Sequence, residues 1–212
     1  MNEDRRPQQE SKWKMLKRYA GEQVGRLQTG YLRGTAQSKA DLALLRKVDP
    51  AQDDRLLLAW EATFQDPPAE LMGRGDTPEP TERVLVTALH LFAIHQQSKA
   101  EPMHVSGIGL GAAIRQLTNP NDAESRTAPV MRRYHALTTA TGLGETTQHL
   151  RGLVSQLREK GAPLDYAQLA LDLLLLDSER TRSGVRLRWA RDLTRAAQNP
   201  EEEREKAQNG TG

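Results

Sequence analysis

HVSGIGLGAAIRQL, residues 104–117, sets Gly107, Gly109 and Gly111 at alternate positions and then becomes plainly helical. Glycines ahead of a helix are a common phosphate cradle, because backbone N–H groups there point at the anion. The folds that use them require G-x-G-x-x-G after a strand, or G-x-x-x-x-G-K-[ST]. Here the spacing is G-x-G-x-G, no Lys-Ser/Thr follows, and no strand pattern precedes. The stretch therefore reads as a turn into a helix, and the parallel sheet that nucleotide-binding loops depend on is missing.

Working outward, every readable period is helical. Leu16, Ala20, Val24, Leu27 and Tyr31 step by three or four residues and form one apolar stripe. KADLALLRKV (39–48) reads as a helix closed by Asp49-Pro50, and DRLLLAWEATF (54–64) as another, stopped by Asp66-Pro67-Pro68. Residues 66–80 hold four prolines and two glycines and read as a linker. Beyond it, TERVLVTALHLFAIHQQ (81–97) puts Leu85, Ala88, Leu89 and Phe92 on one face. Helices follow at 111–117, 128–140, 143–161 with Gly161 in the C′ position, 164–176 with Asp165 as N-cap and Gln168 three residues on, and 185–197. No β-branched run alternates with polar residues. The expectation is an all-α chain of roughly eight or nine helices, with residues 13–65 and 81–197 as two helical halves in a compact, bundle-like arrangement. Residues 1–12 and the acidic 198–212 are expected to be disordered tails.

Composition narrows the function classes. The 212 residues include no cysteine, which excludes disulfides, Fe–S clusters and thiolate zinc sites. No 18-residue apolar run and no signal-peptide pattern is present, so a cytoplasmic protein without a membrane partner is expected. The net charge of +2 conceals segregation. Residues 12–47 carry nine Lys/Arg against two acids, residues 48–125 five against twelve, and residues 126–195 twelve against seven. Such blocks suit a basic surface that attracts a polyanion, or, alternatively, helix faces merely solvated by arginine.

Catalytic chemistry finds no support. His90 and His95 are five apart, off the i, i+4 spacing of a helical metal pair, and no H-E-x-x-H occurs. No metal or other cofactor is expected, and no enzyme. The arginines carry more. Arg188, Arg191 and Arg195 fall at i, i+3 and i+7 opposite Val185, Trp189 and Leu193; Arg132 and Arg133 are adjacent, and Arg46-Lys47 end a helix. Guanidinium forks match phosphate oxygens, and arginines that solvate a surface helix give the same spacing. No aromatic ladder accompanies them, so contact with a nucleic-acid backbone is indicated above base stacking or base readout.

ALHLFAIHQQS (88–98), GIGLGAAIRQL (107–117), VMRRYHALTTA (130–140), HLRGLVSQLREKGAPLDYAQLALDL (149–173) and VRLRWARDL (185–193) occur in an order that resembles the CasB family, over roughly residues 26–195. That family is the small subunit of the type I-E CRISPR surveillance complex, Cascade. The resemblance implies an all-helical, non-catalytic protein whose partners are the backbone and large subunits, a second copy of itself, crRNA and target DNA. It implies a basic surface that stabilises the R-loop, chiefly the displaced non-target strand. Positions that match the family's basic sites are Arg46, Lys47, Lys99, Arg132, Arg133, Arg151, Arg186, Arg188 and Arg191. One departure is Ala112, where the family often has a basic residue; Arg115 is the nearest charge. Some of these arginines are expected to pair with Asp165, Asp172 or Asp192. A helical adaptor that bridges subunits without touching nucleic acid is the alternative.

Overall fold

The computed structural model describes residues 5–48, 56–118 and 129–195, with side chains from Ser11 onward. Among them are nine α-helices: α1 (Arg5–Leu32), α2 (Ala36–Lys47), α3 (Trp60–Thr63), α4 (Pro80–Gln96), α5 (Leu110–Arg115), α6 (Pro129–Thr139), α7 (Gly142–Lys160), α8 (Tyr166–Leu176) and α9 (Glu179–Thr194). Two 3-10 turns, Leu57–Ala59 and Ala69–Leu71, join them. Among the described residues the only extended pairing is a single parallel bridge between His104 and Leu164. The fold class is all-α, and no described helix is long and apolar enough to cross a membrane.

α4 is the axis. It buries not one face but nearly its whole circumference, from Val84 through Ala93, and is packed by α1, α2, α7 and α8. A helix apolar all round has to be surrounded. Its polar members are bonded inward: His90 Nδ1 donates to Leu45 O at 2.8 Å, and His95 Nδ1 and the Tyr166 hydroxyl share a hydrogen bond of 2.9 Å. Burial pushes the Tyr166 phenol up and the His95 imidazole down to about 4. Both members of that pair are therefore neutral at neutral pH.

Residues 66–80 are pinned to the start of α4. Leu71 is buried, Thr81 Oγ1 donates to Leu71 O at 2.9 Å, and the Glu82 carboxylate takes Gly73 N at 2.8 Å and Glu79 N at 2.6 Å. One hydrophobic cluster runs from Leu16 to Trp189, and α1 packs on α8 from the opposite end of the chain. Two boundaries also move. α1 starts at Arg5, inside the stretch expected to be a tail, because Pro7 sits in the first turn, where a missing N–H costs nothing. α9 starts at Glu179, six residues before the apolar period becomes readable, because residues 179–184 are polar and largely exposed. Residues 1–4, 49–55, 128 and 196–212 of the expected elements lie outside the described residues.

Asp165 ties the glycine loop to this frame. Its Oδ1 caps α8 by accepting from Gln168 N at 2.9 Å, and its Oδ2 accepts from Gly107 N at 2.8 Å. Its own N–H donates to Ile108 O at 2.7 Å. Gly107 needs its freedom, at φ +87°. Gly111 has a different reason: a Cβ there would collide with the main-chain oxygen of Trp189, so its hydrogen lets α5 lie directly on the backbone of α9.

The buried imidazole makes stability depend on pH. The unfolded chain protonates His95 near pH 6.5 while the folded chain resists until about 4, so the unfolded state binds more protons between those values. Lowering pH from 7.5 to 5 should therefore cost about 2 kcal/mol from this residue alone. Urea unfolding at the two pH values checks it, and His95→Gln should flatten the difference.

Candidate nucleic-acid interface

The arginines divide into two groups by where they lie. A first group closes helix ends, where the last carbonyls have no intrahelical partner. Arg115 Nη1 donates to Asp192 O at 2.9 Å and Arg195 O at 2.7 Å, at the end of α9. Arg186 Nη2 donates to Ala140 O at 3.1 Å, just past α6, and Arg46 Nη1 to Ala93 O at 3.5 Å, in the last turn of α4. Arg26, Arg158 and Arg182 do the same for Ala62, Ile94 and Leu176. Arg115, Arg186 and Arg46 are thus tied to carbonyls, which accounts for them without a phosphate.

Arg188 is tied to a carboxylate. It pairs with Asp172, an acid only 1% exposed that also accepts from Trp189 Nε1 at 2.6 Å and Gln168 Nε2 at 2.7 Å. Gln168 in turn accepts from Lys17 Nζ at 2.7 Å. The chain Lys17–Gln168–Asp172–Trp189 links α1, α8 and α9. Burial raises the Asp172 carboxyl pKa, against the lowering effects of Arg188, Gln168 and Trp189.

The second group faces solvent. Arg132 is exposed and Arg133 half-buried on α6, and both line a groove of about 470 Å³ with Gln148, His149 and Gly152 of α7. Gly152 shapes it, because a Cβ there would strike the Arg133 guanidinium. Arg151, one turn on from Gln148 along α7, is exposed. His149 Nε2 lies 3.7 Å from Glu145 Oε1, an ion pair only when the imidazole is protonated. Arg191 is exposed on α9. The buried Tyr134 phenol of α6 is pushed up first by burial and then by the charge of Asp192. Lys47 is exposed at the end of α2, and Lys99 half-buried in the turn after α4; the structure brings neither into the α6–α7 groove. The groove also contains Gln148 and His149, which the sequence did not single out. The signal was available only in the helical hairpin that sets residues 132–133 across from 148–152.

The two groups should respond differently to truncation. Asp172→Ala leaves the indole N–H and Arg188 without their acceptor and should cost about 2–4 kcal/mol in urea unfolding. Arg191→Ala should change stability by less than about 0.5 kcal/mol.

Comparison with known proteins adds three findings. A profile of the family described as CRISPR-associated protein Cse2 matches residues 41–193. Among solved structures, the crystal structure of CasB from Thermobifida fusca superposes with a TM-score of 0.73 at 27% identity, covering 85% of this chain and 98% of that one. A search of curated proteins returned no match. The match takes in α4 through α8 and all but the last residue of α9, including the groove-forming hairpin and the Asp165 clasp. The chain belongs to the CRISPR-associated Cse2 family.

Proposed function

We propose that this protein is a non-catalytic subunit of a type I-E Cascade effector complex, and that it holds nucleic-acid backbone in the α6–α7 groove. The observation that carries the reading is the groove itself: Arg132 and Arg133 side by side, with Arg151 and Arg191 exposed on α7 and α9. Family membership supplies the assembly; the groove supplies the chemistry. Its partners are the backbone and large subunits, a second copy of the chain, crRNA and target DNA in the cytoplasm.

The protein follows the phosphates and not the bases. Guanidiniums fork onto phosphate oxygens, and no described aromatic lines the groove to stack a base. In RNA-guided recognition sequence is read by base pairing, and protein need only hold backbone. The displaced non-target strand is the natural occupant, since it is the one strand left without a pairing partner when the R-loop opens. Lys47 and Lys99 extend the basic surface beyond the groove. Arg46, Arg115, Arg186 and Arg188 contribute position by holding helix ends and Asp172, and any phosphate they touch is met by their remaining N–H groups.

Fluorescence anisotropy with a single-stranded oligonucleotide tests this. Arg132→Glu with Arg133→Glu should weaken binding more than about tenfold at low salt and flatten the salt dependence by about 0.7 for each phosphate no longer neutralised. Added Arg151→Glu and Arg191→Glu should flatten it further, and melting temperature should hold. Binding of the quadruple variant equal to wild type would leave the adaptor reading, in which the basic faces meet protein alone.

A further inference from the structure

A second cavity, distinct from the α6–α7 groove, opens between the start of α4, the α6–α7 turn, the end of α8 and α9. Its volume is about 110 Å³. Val84, Leu137, Leu143 and Leu173 give it apolar walls, and Arg182, Arg186 and Asp177 line it too. Both arginines commit part of their guanidinium to carbonyls, Arg182 to Leu176 O and Arg186 to Ala140 O. That leaves N–H groups over. Arg186 Nε is buried with no acceptor among the described residues. A buried donor without an acceptor is costly unless something else supplies one.

We infer that this cavity is a docking pocket for the C-terminal residue of a neighbouring protein chain, one ending in leucine or phenylalanine, with the side chain in the cavity and the carboxylate on Arg182 and Arg186. Three observations fix the occupant's chemistry. Apolar cavities near this size take a benzene-sized group, so one branched or phenyl side chain fits and a long acyl chain does not. The cationic groups lining the cavity outnumber Asp177, so the occupant carries negative charge. Guanidinium forks suit a carboxylate, and a chain end supplies carboxylate and side chain from a single residue without threading a strand through. The inference rests on the reading of the protein as a subunit of a larger assembly, but not on the nucleic-acid groove.

The test uses the full chain and three probes followed by amide ¹H–¹⁵N spectra. N-acetyl-leucine should shift the resonances of Ala140 and Leu143 saturably, N-acetyl-leucinamide should bind at least fivefold more weakly, and Arg182→Gln should remove the difference. Ala140→Leu, which fills the cavity and alters no charge, should abolish probe binding while leaving melting temperature and oligonucleotide affinity as in wild type. Equal binding of acid and amide, or no saturable shift from either, overturns the inference. So does tighter binding of capped acetyl-Leu-Asp-amide, which would mean a side-chain carboxylate within a chain, or of decanoate, which would mean a free amphiphile. If the probes bind as expected but wild-type protein ignores oligonucleotide, the nucleic-acid reading fails and the pocket stands.

Discussion

The structure depends on where α8 begins, and Asp165 sets that point. One buried carboxylate caps the helix through Gln168 N and holds the glycine loop through Gly107 N. From that fixed start, α8 delivers three polar side chains to three neighbours: Tyr166 to His95 of α4, Gln168 to Lys17 of α1, and Asp172 to Trp189 and Arg188 of α9. A shift of α8 by one residue would turn each through about 100° and leave buried donors and acceptors without partners. Apolar packing alone would tolerate that slip better, because leucines on an aliphatic helix substitute for one another in a way that hydrogen bonds do not. The polar contacts thus select one register among several that the hydrophobic effect would accept.

The same logic governs the arginines. In a helical protein each helix ends with carbonyls that no residue of its own can satisfy, and a long guanidinium from elsewhere is a ready donor. Six arginines serve here in that way, and a seventh neutralises Asp172. A chain rich in arginine is therefore not by that fact a nucleic-acid binder. What marks the α6–α7 groove is that Arg132 and Arg133 sit side by side at its wall, over a glycine that makes room for one of them.

Local signals were legible and distant ones were not. Asp165 as N-cap and Gly161 as C′ residue, at φ +72°, could be read from their neighbours, as could the all-helical class. The burial of α4 on every side could not. Thr87, His90 and His95 look like a solvent face until Leu45 and Tyr166, 45 and 71 residues away, come to meet the two histidines. How the 66–80 loop is fastened was hidden for a related reason, since Glu82 holds it through backbone N–H groups, which every sequence has. The fate of Arg115 was decided 77 and 80 residues downstream, at carbonyls no side-chain pattern announces.

The glycines of residues 107–111 show how one motif can mislead in kind and still be informative in place. Gly107 turns the chain at positive φ, as a phosphate loop would, but its N–H is taken by Asp165. Gly111 permits a close approach, as such loops also do, yet what approaches is the backbone of α9. Both requirements are met by an internal partner: a carboxylate stands where an anion would be, and a helix backbone where a ligand would lie. With α5 held there, Arg115 reaches the last carbonyls of α9 and holds the C-terminal end of the helix that carries Arg191. The turn is thus closed from within, and through α5 it steadies the helix that carries Arg191.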